Sequence, residues 1–246
     1  MTLRRKPVKG PESTGRSRRG EDSGRARAGA PAARAPLTRE RVVTAAVALA
    51  DGAGIEAVSM RRLAENLGVE AMSLYHHVAS KEAILDGMVD AVFDEIPLPG
   101  AAAGWRAALR ERATAVRAAL GRHPWALGLL ESRAHPGAVT LHHHDAVLGT
   151  LRAGGFSVAG AAHAYSVLDA YVYGFALQEQ NLPFRDSKDV ERIAAAMLEG
   201  FPADRFPHLA EVTAKHVLKP GYSFAHEFEI GLDLILDGLE RLRSAG

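Results

Sequence analysis

From Leu37 onward, apolar residues recur three and four positions apart, the spacing of one face of an α-helix. The first run is LTRERVVTAAVALADGAG, with Val42, Val43, Ala46, Val47, Leu49 and Ala50 on the stripe. Thr38 is placed as its N-cap, Leu37 and Val42 as a hydrophobic staple, and Asp51–Gly54 ends it. A short helix is predicted to start after Ser59 and stop at Gly68, and a shorter one to cover about 71–77. Ser80 then caps KEAILDGMVDAVFDEI, a helix over 81–95, whose Ile84, Leu85, Met88, Val89, Val92 and Phe93 form a further stripe. PLPG at 97–100 breaks the pattern and marks a domain boundary. Beyond it, helices are predicted near 104–121, 125–133, 138–153, 157–180, 187–200, 206–217 and 223–244. No stretch alternates with period two for long enough to make a sheet, so the fold class is all-α.

Two of these segments carry small and aromatic residues on more than one face: 159–180 and 223–243. A helix apolar nearly all round must be buried on several sides. Near the C-terminus, burial on that scale is expected to come from a second copy of the chain in a four-helix homodimer interface, the alternative being the core of one protomer.

Composition narrows the function classes. The chain has no cysteine, which removes disulfides, thiol nucleophiles and thiolate metal sites. No apolar run approaches a membrane span and the start has no apolar signal core, so a cytoplasmic protein with no membrane partner is expected. The net charge of +1 is unevenly spread. Residues 1–36 carry ten Lys/Arg against three Asp/Glu, and the rest of the chain carries 20 against 26. Such a basic arm with few large apolar side chains is expected to be disordered; it either adds nonspecific attraction to phosphates or is a solvated extension. Residues 37–96 and 97–246 are then read as two helical domains.

The segment MRRLAENLGVEAMSLYHHV, residues 60–78, contains a small residue, a glycine four positions later and an aliphatic residue six after that. This is helix-turn-helix spacing: Ala64 permits close approach, Gly68 a sharp turn, and Leu74 plugs the angle. At about 100° per residue, with Leu74 and Val78 inward, Met72, Ser73 and His76 project outward, and Tyr75 and His77 lie on opposite flanks. The adjacent histidines diverge, so they do not chelate one ion, and no carboxylate at helical spacing orients either as a base. Hydroxyls, imidazoles and an apolar Met facing outward suit phosphates, base edges and thymine methyls of duplex DNA.

The stretch from Leu37 to Ile96, with MRRLAENLGVEAMSLYHHVASKEAIL at its centre, resembles the DNA-binding domain of the TetR family of transcriptional repressors. The later GFSVAGAAHAYSVLDAYVYGFALQEQ and FEIGLDLILDGLE are similar to the C-terminal domain of its tetracycline-repressor branch. The resemblance implies a ligand-responsive homodimer that binds a palindromic operator and releases it when a small molecule binds. It places Ala71, Met72, Ser73 and His76 near base edges, Tyr75, His77 and Lys81 toward phosphate, Arg61 on a guanine, and Thr38 near the backbone. Where the tetracycline repressor opens its third helix with Gln-Pro and has Trp before His, this chain has Ala71-Met72 and His76, so a different operator is expected. An activator would show the same DNA-binding residues.

For the effector, the resemblance implies a pocket in the C-terminal domain. Candidate lining residues are Trp105, Trp125, Leu129, Leu130, Arg133, His144, Leu148, Tyr165, Leu168, Asp169 and Tyr173. Trp125 and Leu129 equally suit a core, and Arg133 a solvated surface. Glu131 and Val147 occupy the approximate positions of the tetracycline repressor's metal-ligand histidine and drug-contacting glutamine, so a tetracycline–magnesium effector is not expected. LHHHD at 141–145 invites a metal-enzyme reading with Asp145 and Glu131. Three consecutive histidines span about 200° of a helix, however, and no HExxH, paired ExxH or nucleophile–base signature accompanies them. No cofactor, catalytic residue or bound metal is expected.

Overall fold

α1 (Arg39–Ala53) begins where Thr38 Oγ1 accepts the Arg41 amide at 3.3 Å, and ends at Gly54, whose N–H donates to Ala50. The structure, a computed structural model, describes residues 36–100, 104–133, 136–183, 187–200 and 203–244; of the expected basic arm only Pro36 falls among them. A 3₁₀ turn (Ile55–Ala57) leads to α2 (Met60–Leu67), which Ser59 caps. Gly68 closes α2 with φ 66°, and the Val69 amide reaches back to the Ala64 carbonyl at 3.0 Å. A β-carbon is disfavoured in that left-handed conformation, which is why glycine stands at the turn.

α3 is shorter than the stripe predicts. Only Ala71–Leu74 is α-helical; Tyr75, His76 and His77 continue in tight turns closed by i→i−3 bonds from their amides to Met72, Ser73 and Leu74. Aromatic and imidazole side chains favour the helix weakly, and such a tight last turn satisfies the terminal carbonyls at little cost. α4 (Lys81–Asp94) follows, capped by Ser80. It packs on α1 so closely that a β-carbon on Gly87 would lie 2.8 Å from a Val43 methyl.

The expected boundary at 97–100 falls between α4 and α5 (Gly104–Arg122), and α4 packs on both sides of it, against α1 and against α6 (Ala126–Ser132) and α7 (Ala138–Ala153). α8 (Val158–Asn181) runs against α5, α7 and α11 (Phe224–Ser244). Between α8 and α11 lie α9 (Ser187–Gly200) and α10 (Pro207–Val212), the latter continuing as a π-helical turn to Val217. Among the described residues every regular element is helical.

The core joins these layers. Phe93 from α4, Leu109 from α5, Leu151 and Phe156 around the end of α7, Leu168 from α8, and Phe228 and Leu232 from α11 are all buried. Arg117 of α5 lies over the Phe175 and Phe228 rings, 5.0 and 4.7 Å from their centroids, and pairs with Glu179 at 2.5 Å, tying α5, α8 and α11 together. The reading of 223–243 as apolar all round holds on one side only. A row of Glu229, Asp233 and Asp237 on α11 pairs with Arg106 and Arg110 of α5. Beside that row α11 exposes Ile230 and Leu234, with Leu242 near its end, and α8 exposes Val158, Val167 and Leu177.

Candidate nucleic-acid interface and effector cavity

The DNA-reading candidates sit on a rigid base. Leu63, Ala64, Leu74 and Val78 are buried and fix α2 against α3. From that base Met72 (72% exposed), Tyr75 (48%), His76 and His77 stand out into solvent, with Arg61 at the start of α2 and Lys81 at the start of α4. Ser73 is half-buried, and Ala71 packs partly against the core, so its outward contribution is small. Thr38 is half-buried at its cap. The side chain of Arg61 is held by Glu65 one turn on, Nε to Oε1 at 2.8 Å, so the pair presents the guanidinium's remaining N–H groups in one orientation. Sequence reasoning missed Glu65, although its i,i+4 spacing from Arg61 was visible.

A cavity of about 560 Å³ opens between α4, α6, α7 and α8. Of the candidates for its lining, Leu130, Arg133, His144, Tyr165, Asp169 and Tyr173 do reach it. The others do not. Trp105 packs edge-on against Phe156 at 4.9 Å, Leu168 is buried in the core, and Leu129 is packed against that core. Leu148 is exposed, and Trp125 donates its indole N–H to Asp51 at 2.6 Å. The remainder of the wall is mostly apolar, with Val89, Leu127 and Leu177, and adds Thr140 and Ser166. Val147 is a core residue, and the Glu131 side chain lies outside what the structure describes.

One polar end of this cavity rests on a buried ion pair. Arg112 Nη1 meets Asp169 Oδ1 at 3.1 Å, with only 3% and 12% of the two side chains exposed. Burial and the neighbouring Asp169 carboxylate push the Tyr165 hydroxyl far above its usual range. Burial also lowers His144 below the ordinary imidazole value, with Asp169 opposing and Arg112 adding to it. His144 therefore stands at the wall as a neutral ring, 5.4 Å edge-on from Tyr165. The pair was legible in one respect: Arg112 falls on the α5 stripe with Leu109, Ala113 and Val116, and Asp169 on the α8 stripe with Leu168 and Val172. Opposite charges on two inward faces predict each other.

The three consecutive histidines point to three environments. His142 is exposed, His143 is buried 5.5 Å from the Phe93 ring, and His144 lines the cavity. Among the described residues no three His, Asp or Glu converge as metal ligands. Nor is any described helix long and apolar enough to cross a membrane.

The cavity wall is tied to the helix that leaves the DNA-reading unit. Arg133 Nε donates to Asp86 at 2.6 Å and its Nη2 to the Glu82 carbonyl at 3.3 Å. Thr140 gives Asp90 both its amide (3.1 Å) and its hydroxyl (2.8 Å), while His143 and His144 pack on Phe93. Four turns of α4 are thus held by residues at or beside the cavity.

Comparison with known proteins agrees with this layout. Residues 42–88 match the model for bacterial regulatory proteins of the tetR family, and residues 96–243 the model for the tetracyclin repressor-like C-terminal domain. The chain is 39% identical over 215 residues to an HTH-type transcriptional repressor, DrrR1, of Streptomyces coeruleorubidus, covering 84% of this chain and 78% of that one. It is 31% identical to the class C tetracycline repressor of Escherichia coli over 210 residues, covering 84% and 92%. Among solved structures, ActR of Streptomyces coelicolor in complex with actinorhodin superposes with a TM-score of 0.71 at 28% identity, covering 83% and 96%.

Proposed function

The chain belongs to the TetR family of transcriptional regulators, and from that membership we propose that it is a homodimeric repressor whose palindromic operator is released by a multi-ring aromatic effector. The observation that carries the reading is the set of contacts from the cavity wall to α4: Arg133 to Asp86, Thr140 to Asp90, and His144 to Phe93. A ligand that moves these groups moves the helix that begins at Lys81, beside the reading surface. Coupling of this kind requires only that the ligand bind one tilt of α4 better, typically by about 1–3 kcal/mol.

Ile230 and Leu234, exposed one turn apart on α11, support the dimer, since an isologous four-helix interface needs apolar side chains on the outer face of such a helix. Two copies would present two α3 elements to half-sites about 34–36 Å apart. Met72, Ser73 and His76 then read base edges, with Ala71 beside them; Arg61, braced by Glu65, takes a guanine; and Tyr75, His77, Lys81 and Thr38 hold phosphates.

The effector class follows from the cavity. Its volume of about 560 Å³ suits a molecule of three or four fused rings, its apolar walls carry Tyr165, Tyr173 and His144 to stack on, and Asp169, Ser166 and Thr140 offer partners for hydroxyl or keto groups. ActR, similar in fold, is described bound to actinorhodin. The test is selection of bound duplexes from random DNA, then displacement of the selected duplex by a panel of aromatic polyketides. A palindromic site released by polycyclic aromatics is expected. A site without dyad symmetry, or displacement only by small aliphatic compounds, would overturn the proposal.

A further inference from the structure

We infer that His123, in the turn between α5 and α6, is a proton-dependent pivot that locks the effector-binding helices to the DNA-binding helices through one carboxylate at the end of α1 and another at the end of α4. The ring is buried, yet each of its nitrogens faces an acid: Nδ1 lies 2.8 Å from Asp51 Oδ1, and Nε2 lies 3.0 Å from Glu95 Oε1. Asp51 is in the last turn of α1 and Glu95 caps α4, so a single side chain fixes the spacing of the two helices that support α2 and α3. None of these residues lines the effector cavity, so the pivot is a second link beside the α4 contacts.

Donor counting gives the proton dependence. A carboxylate only accepts, and a neutral imidazole has one N–H, so a neutral ring makes one of the two bonds and turns a lone pair toward the other acid. An imidazolium makes both. The other groups around the ring keep both acids in place as acceptors. Trp125 Nε1 donates to Asp51 Oδ1 at 2.6 Å, and Arg122 donates to Glu95 Oε2 at 2.5 and 3.1 Å. The Arg122 bonds, with a smaller contribution from His123, hold the Glu95 carboxyl below the usual range. As pH rises and the ring loses its proton, one arm of the clamp opens and the two units move more independently.

The inference rests on the DNA-binding function but on no particular effector. Trp125 is a built-in reporter, since its ring sits 5.7 Å from that of His123 and the chain's second Trp is Trp105. In full-length Trp105→Phe protein, Trp125 emission is expected to change with pH as one sigmoid, and to lose that sigmoid when His123→Gln is added. Affinity for the selected operator duplex, measured at pH 6 and pH 8, is expected to differ about fivefold more in the wild type than in His123→Gln, a step at the low end of allosteric couplings. The reading-surface residues are the same in both proteins, so their contribution cancels.

Glu95→Gln separates the pivot from simple packing. A glutamine amide can donate to the unprotonated nitrogen, so a neutral ring can make both bonds, and the pH step should flatten with the ring still in place. An emission sigmoid that persists in His123→Gln, or operator pH profiles of wild type, His123→Gln and Glu95→Gln that superimpose, would overturn the inference. Should His123→Gln fail to fold, Glu95→Gln alone decides between the two outcomes.

Discussion

The proposed reading surface and the proposed effector cavity are built on opposite plans. The first is drawn from residues 38–81, and its working side chains stand exposed on a base that is complete without them. The second is assembled from α4, α6, α7 and α8, and its polar end leans on an ion pair inside the core. The difference concerns what substitution costs. On the reading surface, binding and stability separate, because removing Met72 or His76 leaves the Leu63–Leu74–Val78 packing intact. In the cavity they do not, because the groups that shape the ligand site also neutralise one another.

The sharpest way to break that contrast is Arg112→Ala. It leaves Asp169 buried without its cation, and truncating one partner of such a pair costs about 3–5 kcal/mol. Chemical denaturation of the variant should show the loss directly. Replacing the pair together, Arg112→Met with Asp169→Leu, should return most of the stability, since the charge left unpaired is the larger part of the cost. If Arg112→Ala were as stable as the wild type, the cavity would be as independent of the fold as the reading surface.

The same contrast explains what the sequence made legible. The helix-turn-helix could be read because it is local: Ala64, Gly68 and Leu74 meet over ten residues, and their spacing dictates which side chains are left outside. The helical register after Leu74 could not, because a tight last turn differs from an α-turn by one hydrogen-bond partner per residue, which side-chain spacing over three residues does not resolve. In the C-terminal domain, periodicity tells which face of a helix points inward but not whether that face meets a neighbour or a void. Trp105 and Tyr165 both lie on inward faces; Trp105 meets Phe156, and Tyr165 meets the cavity. Trp125 and Asp51 are 74 residues apart, and only the folded chain brings the indole to the carboxylate.

On the reading surface the expected effects are smaller and appear in binding alone. Arg61→Ala should cost about 1–3 kcal/mol on the selected operator and relax preference at one base pair, and Glu65→Ala should reproduce part of the relaxation by freeing the guanidinium. Lys81→Ala should weaken all sequences alike and reduce the salt slope by about 1. Quantitative gel shifts at several salt concentrations distinguish these. Any of the three that lowered the melting temperature appreciably would show that the surface is not separable from its base.

The smallest effect lies at the cavity and runs with pH. Burial lowers both His143 and His144 below the ordinary imidazole value, for His143 with Arg112 and the flanking histidines adding to it. A depressed folded-state value means that the unfolded chain takes up these protons first. The stability that the neutral rings contribute is therefore fully present above the unfolded imidazole value, near pH 6.5, and is lost as pH falls below it toward the lowered folded values. The melting temperature should drift downward from pH 7 to pH 5 and change little from pH 7 to pH 8. Measuring it in His123→Gln protein removes the pivot's proton from the comparison. Phe93→Leu, which takes away the ring against which both imidazoles pack, should lower the whole curve, and His143→Phe should reduce the slope itself.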